Sequence, residues 1–461
     1  MVRLFKGLLL AAAALVLFVA AVWLVSRAMG PSKAEREALA LVDAPPPAGG
    51  KDGFAALWAL GYDIPASEQG RVLADDIRSL AALPPLDLSA GGGASAWRSA
   101  REAWPRLGQA RDADPAWCGL REAGCLERVR AAPDDYERLL GHHARLLEQV
   151  GVLSAYDRFS SPLPARMDAP FPEFQWLTRT LTRDASQFVQ GETAVGLAGA
   201  CAGVSQGRTL IAAGDSLIGS MIGAALVQGN ATLLAEMLAE LPRDHALPAT
   251  CDAAFALPLG VEEAACRALL AEGRFATAGL RSQITPAIAA DVADRDLPTW
   301  GARLLFDPER TAARSAPKFA WYCSAQAREL IAQDRPLRDP APPPSRWSLA
   351  CASNPIGCIL ADIAAPAYVD YGLRLQDADA RLRTTAALLW LRGREGAIDQ
   401  EALAQVPAPM RSPARPLQLD LEAGTLGTAL HAKPRTEEGG LDGAWSVPLP
   451  ASRLQSAVTS P

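Results

Sequence analysis

An unbroken apolar run from Leu8 to Val25 constrains this chain more than any other feature, because a stretch of that length and composition reads as a bilayer-crossing helix. At about 1.5 Å per residue it matches a hydrocarbon core of roughly 30 Å. Arg3 and Lys6 precede it, Ser26 and Arg27 end it, and Trp23 lies near the far end, where an indole favours the membrane interface. A secretory signal is the rival reading. Its apolar region runs to only about 7–15 residues and is followed by small residues at a cleavage site, whereas Arg27, Ala28 and Met29 follow here. Length therefore favours an uncleaved anchor. The flanking charges do not orient it, since Arg27, Lys33 and Arg36 offset Arg3 and Lys6.

The cysteines supply the orientation. All eight, Cys118, Cys125, Cys201, Cys251, Cys266, Cys323, Cys351 and Cys358, lie beyond the run. An even set confined to one side of a membrane points to disulfides in an oxidising compartment. No Cys-x-x-Cys pair and no Cys or His cluster with finger-like spacing occurs, so neither a metal nor another cofactor is expected. Cys118 with Cys125, and Cys351 with Cys358, share one spacing with 6 residues between the pair. On a continuous helix such residues stand about 10 Å apart along the axis, beyond disulfide reach, so each bond requires a turn. Asn354-Pro355 signals one turn, and Trp117-Cys118-Gly119 breaks regularity at the other. Cys251 with Cys266 is the third expected pair, which leaves Cys201 with Cys323.

Hydrophobic residues make up 49% of the chain and charged ones 21%, ordinary for a globular body with a sizeable core. The net charge of -6 is mild, and positive residues are interspersed with Asp and Glu, which argues against a nucleic-acid partner. Arginine carries nearly all the positive charge and alanine is abundant. That bias belongs to GC-rich bacterial genomes, so the compartment is read as the periplasm and the membrane as the inner membrane, entered through Leu8 to Val25.

Four segments follow. Residues 1–27 are a cytoplasmic start and anchor, and 28–51 form a tether containing Ala44-Pro45-Pro46-Pro47-Ala48-Gly49-Gly50. Residues 52–405 form the body and 406–461 a Pro-rich C-terminal segment. The body is mainly helical, an all-α class, apart from a small C-terminal β-hairpin or sheet. Tyr136, Leu139, Leu140, Leu146, Leu147 and Val150 mark one face of a helix from Pro133 to Val150. Further helices are predicted at Val261 to Leu270, Lys318 to Ile331 and Asp377 to Arg392, while Gly91-Gly92-Gly93 and Pro340 to Pro344 read as breaks. Between Thr193 and Gly229 the chain is apolar enough to suggest a second span, but Arg208 and Asp215 interrupt it. Two closely packed buried helices are expected there, with Gly196, Gly199 and Gly203 admitting close backbone approach. Alternation of Leu417, Leu419 and Leu421, followed by Trp445-Ser446-Val447, predicts the terminal β element.

One string invites a catalytic reading. Gly214-Asp215-Ser216-Leu217 spells the signature of an esterase and lipase family with a serine nucleophile. In those enzymes an aspartate stands three positions before the catalytic histidine, whereas here Thr428 precedes His431 and Pro242 precedes His245. The nearest string to their Gly-x-Asn-Asp block is Gly229-Asn230-Ala231. A serine without a positioned base is a poor nucleophile. Leu217, Met221 and Ala225 fall at helical spacing, so Asp215 or Ser216 reads as a helix cap. His142-His143 lies in an amphipathic helix, where adjacent side chains point apart, and His143 falls on the apolar stripe. Asp134-Asp135 and Glu262-Glu263 sit at helix starts, where negative charge suits the macrodipole.

Phe54 to Asp63, the helix from Ala213 to Ala225, and Asn354-Pro355-Ile356-Gly357 leading to Tyr371 and Arg374 resemble a family of uncharacterised, membrane-anchored bacterial proteins. The resemblance implies a helical exported body and carries no catalytic residue. Helix pairs also invite comparison with repeat scaffolds, but no fixed period emerges. Two functions remain open. The favoured one is a non-enzymatic envelope protein that binds another envelope protein or component; the other is a periplasmic hydrolase using Ser216.

Overall fold

Glycine and serine set the first turn of this molecule. In the computed structural model, which describes residues 2–45, 49–84, 97–111, 114–166, 168–256, 258–288, 304–341, 345, 347–364, 368–432 and 443–450, the apolar run forms helix α1, Val2–Met29. Residues 4–21 of α1 are exposed along every face. Gly30, at φ +65°, turns the chain in the left-handed region that glycine tolerates. Ser32 and Glu35 then form a reciprocal capping box that opens α2, Lys33–Asp43. The segment expected to be a tether is thus largely helical, and Val42 of α2 is buried in the main core. The pattern of Ala38, Leu39 and Val42 on one face of α2 is the signal that the Pro-rich stretch after it overshadows.

Among the described residues the body has two large cores, besides a small cluster of Ala59, Tyr62, Ile64 and Val72. The smaller of the two contains Trp58 and Leu57 from α3 (Phe54–Ala59), with Leu146 and Val150 further along the chain and Trp176 and Leu177 from a 3-10 stretch. Helix α4 (Ala66–Ala81) covers α3. Helices α5 (Cys125–Ala131), α6 (Pro133–His142) and α7 (Ala144–Val152) follow. The single helix expected from Pro133 to Val150 is interrupted at His143, whose backbone leaves helical geometry at φ -101° and ψ 11°. Its apolar stripe nonetheless continues across the break, with Tyr136, Leu139, Leu146, Leu147 and Val150 all buried.

The larger core is built around α8 (Thr180–Val189), α9 (Thr193–Ala213) and α10 (Leu217–Ala239). Small residues let α9 meet both neighbours at backbone distance. A Cβ placed on Gly196 or Gly199 would strike Asp184, one on Gly203 would strike Asn230, and one on Gly207 would lie 2.6 Å from the Gly223 carbonyl. Helix α11 (Thr250–Ala254) packs on α9, and α12 (Val261–Gly279) continues the body. Asp307 caps α13, Pro308–Ala320, with Pro308 in its first turn. The helix predicted from Lys318 to Ile331 is divided. A 3-10 turn at Trp321–Cys323 follows α13, and Ser324 caps a new helix, α14, Ala325–Ala332, by accepting from the Ala327 amide at 3.1 Å.

Helices α15 (Pro355–Ala364), α16 (Val369–Arg392) and α17 (Gln400–Ala404) complete the α-helical part. Strands β1 (Gln418–Asp420), β2 (Thr425–Ala429) and β3 (Ala444–Pro448) form an antiparallel sheet in that order. Leu419 stands opposite Leu426, which stands opposite Val447. Leu426, Trp445 and Val447 are buried against α10 and α16, so the sheet belongs to the larger core.

Four disulfides brace the body. Cys118 joins Cys125 and Cys351 joins Cys358, at Cα separations of 5.6 and 5.9 Å. The other two exchange the partners expected from the sequence. Cys201 bonds Cys251, linking α9 to α11, and Cys266 bonds Cys323, linking α12 to the turn after α13. Cys251 and Cys266 are near in sequence but sit on different helices with different neighbours, so packing rather than separation decides. The Gly91-Gly92-Gly93 break and most of the 340–344 stretch lie outside the described residues.

Candidate functional site

The tempting serine string turns out to be a helix-to-helix corner. Gly214 ends α9 at φ +59°, and a Cβ there would meet Arg267 at 2.5 Å. The Asp215 carboxylate accepts from the Phe159 amide and the Ser160 hydroxyl, both at 2.9 Å, which holds the preceding loop against the corner. The Ser216 hydroxyl accepts from the Gly219 amide at 3.0 Å and so caps α10. All three polar roles are structural. His431 donates its backbone amide to Asp377 at 2.8 Å, and its ring lies 3.0 Å from the Asp334 carbonyl. Neither it nor His245 hydrogen-bonds Ser216, and Asn230 is buried with its amide donating to Leu226. Among the described residues no Ser-His-Asp arrangement forms, so the hydrolase reading has no geometry behind it.

His143 is buried between the rings of Trp117 and His142, 3.9 Å from Asp114. Burial lowers its pKa, disfavouring the charged ring. Among the described residues no group of three or more His, Cys, Asp and Glu is placed to hold a metal ion. Asp134-Asp135 and Glu262-Glu263 fall in the first turns of α6 and α12, the electrostatically favoured positions.

A buried ionic cluster ties the C-terminal segment to the body. Arg415 pairs with Asp377 at 2.7 Å and with both oxygens of Asp334. Arg383 reaches Asp334 at 2.8 Å and Asp379 at 3.0 Å. Asp377 also accepts from the backbone amides of His431 and Ala432, at 2.8 and 2.9 Å. Asp334 is the one described non-glycine residue with positive φ, a conformation aspartate tolerates better than most. Burial raises the Asp334 carboxyl, but Arg415 and Arg383 outweigh it and hold the pKa below the usual value. Since both Arg415 and Asp377 are almost wholly buried, the cluster is closed to solutes. It is a clasp.

The arrangement that sets this molecule apart lies where α1 meets the body. Val22, Trp23 and Ser26 face the body, the last fully buried. The Trp23 indole donates to the Leu304 carbonyl at 2.7 Å. The Ser26 hydroxyl accepts from the Ser353 amide at 3.0 Å and lies 2.8 Å from the Ser353 hydroxyl. Arg27 pairs with Asp307 at 2.8 Å, so one carboxylate both caps α13 and grips α1. Arg310 closes the seat, donating to the Ser26 carbonyl and the Ser353 hydroxyl, each at 3.0 Å, and to the Arg27 carbonyl. The Cys351–Cys358 loop supplies the floor. Asn354, 2% exposed, accepts from the Asp307 amide at 2.8 Å and donates to Thr311 at 3.0 Å. Gly357 packs so tightly on Asn354 and Thr311 that no Cβ fits. Asn354 and the first turn of α15, where the sequence signals only a turn, are therefore the bearing for α1. Asn354-Pro355 and Asp307-Pro308 announce a turn and a helix start in the sequence, but nothing local reveals that Ser26, Arg27 and Arg310 converge there.

Comparison with protein-family models, with curated proteins and with solved structures finds no match. The resemblance to membrane-anchored bacterial proteins therefore reaches only as far as a mainly helical chain with one N-terminal helix suited to a membrane.

Proposed function

We propose that this chain is a non-enzymatic protein of the bacterial envelope, held in the inner membrane by α1, whose periplasmic helical body binds another envelope protein or component. The observation that carries the reading is the seat of α1. Ser26 and Arg27 are structural members of the body, bonded to Ser353, Arg310 and Asp307, so removal of α1 would strip partners from buried polar groups. A signal sequence destined for removal has no need of such a seat. Four disulfides, all beyond α1, support an oxidising location. The capping role of Ser216 gives the string that suggested hydrolysis a structural purpose.

The test is fractionation of cells producing the full chain, with amino-terminal mass mapping and protease accessibility. An intact terminus before Leu8, retention in the membrane against carbonate, and a body cleaved only after the outer membrane is opened are expected. A mature chain beginning beyond Arg27, or a soluble full-length chain, overturns the anchor. Covalent labelling by a fluorophosphonate that disappears in Ser216→Ala would overturn the non-enzymatic assignment.

A further inference from the structure

The seat of α1 fixes the height of the body above the membrane. Counted at about 1.5 Å per residue, the run from Leu8 to Val25 comes close to the roughly 30 Å of the hydrocarbon core and puts Trp23 within one turn of its far end. Trp23 thus falls at the interfacial layer, and its indole is bonded to the Leu304 carbonyl of the body. Leu304 and the adjacent Leu305 are both exposed. They stand at the level of the lipid headgroups and not out in the solvent.

Other exposed apolar side chains continue outward from the same seat. The loop that receives Ser26 is closed by Cys351–Cys358, and it carries Trp347, 91% exposed, and Leu349 on its approach. Past the loop, α15 divides its residues cleanly. Cys358 and Ala361 are buried against the body, and Asp362 faces Arg314 and Lys318 at 3.6 Å. Ile359 and Ile363, one helical turn apart, are exposed on the other side, Ile363 at 71%. A soluble helix normally puts its polar residues outward. Here the polar residue faces inward and the isoleucines face out, which is the arrangement of a helix lying in a membrane interface.

We propose that Trp347, Leu349, Ile359 and Ile363 lie in the interfacial layer of the bilayer that α1 crosses, so that the body rests on the lipid surface at this rim. The proposal depends on α1 being a membrane anchor. The occupant is lipid because the rim starts at the exit point of α1, where the Leu349–Cys351 turn packs on α1, and carries on from there into α15. Docking on two supports keeps this side of the body turned toward the lipid.

Spin labels placed on the full chain, reconstituted in phosphatidylcholine and phosphatidylglycerol vesicles, test this. Ala14→Cys reports on α1, Ile363→Cys on the rim, and Val152→Cys on an exposed position of the smaller core. Collision with oxygen, which partitions into lipid, is compared with collision with a water-soluble nickel chelate. The oxygen-to-nickel ratio is expected to be several-fold higher at 363 than at 152, and highest at 14. Equal ratios at 363 and 152, with 14 still in lipid, overturn the resting rim and leave the anchor intact. Shielding of 363 from both reagents identifies a protein cover and also overturns it. A water-like signal at 14 fails the anchor itself, and the inference with it.

Discussion

Among the described residues, α1 and α10 are the two helices long and apolar enough to cross a membrane, and the molecule treats them in opposite ways. The first is bare through residues 4–21, while two-thirds of the apolar window of the second is buried. They differ in polarity, α10 being markedly less apolar than α1, and in how closely a neighbouring helix can approach. Leu, Val and Phe crowd α1, and its Gly7 has nothing within 4 Å of a Cβ. Helix α10 presents Gly219, Gly223 and Gly229, and the Gly207 carbonyl of α9 lies 2.5 Å from a Cβ placed at Gly223. Small residues convert an apolar helix from one that needs lipid into one that can be wrapped by other helices. The few polar groups of α10 are absorbed in the process: Ser220 bonds back to the Ser216 carbonyl and Asn230 to that of Leu226.

The wrapping can be broken from outside. Arg415 fastens the C-terminal segment over α16, which in turn covers α10, so Arg415→Met should leave Asp377 buried without its cation and Asp334 with Arg383 alone. A loss of about 3–5 kcal/mol is expected in urea unfolding of the detergent-solubilised chain. A loss below about 1 kcal/mol would show that the sheet is not part of what holds α10.

The α8–α9 contact offers a pH test. Asp184 is fully buried beside Gly196 and Gly199, and burial lifts its pKa from 3.8 to about 6 despite the Arg183 guanidinium. The folded carboxyl therefore holds its proton more tightly than the unfolded one. Its contribution is fully present below pH 3.8 and is lost as the pH rises through about 6. Melting across pH 4–7 should show a decline of at most about 3 kcal/mol, flattened in Asp184→Asn. A stability that instead rises through this window would mean that Arg183 dominates.

A smaller effect compares the two helix environments directly. Gly207→Ala puts a methyl group against the Gly223 carbonyl and should cost about 1–3 kcal/mol, set against the ~1 kcal/mol gained from helix propensity. Gly7→Ala, with open space around it, should leave the melting of the body unchanged. If both variants melted alike, close packing would not be what distinguishes α10. Smallest among these, Ser216→Ala removes the cap of α10 and should lower stability by about 1 kcal/mol, measured by thermal melting.

Much of this contrast was legible in the chain. Arg208 and Asp215 correctly predicted that the second apolar stretch would be a pair of packed helices, because neither residue tolerates lipid. Period and caps carried the helical class, and alternation at Leu417, Leu419 and Leu421 carried the sheet, whose third strand completes what Trp445 and Val447 suggested. Local signals failed wherever distant segments decide. The partners of Cys201 and Cys266 depend on which helices touch. The Pro-rich stretch after α2 concealed that Val42 is a core residue, and the seat of α1 joins residues separated by more than 300 positions in the chain, Ser26 with Ser353. The serine string was legible as a helix cap, which Ser216 is, although a capped helix corner and a nucleophile turn draw on the same small residues.

The joint at Ser26 and Arg27 has little slack. Only Gly30 and Pro31 separate α1 from the Ser32 cap of α2, and α2 is itself packed on α13. A domain on a loose leash tumbles whatever angle its anchor takes. Here the inclination of the spanning helix is passed directly to the body. Spanning helices lean by about 20° on average, and lean further when the bilayer is thinner than their apolar length. Local bilayer thickness would thus set the direction in which this domain points.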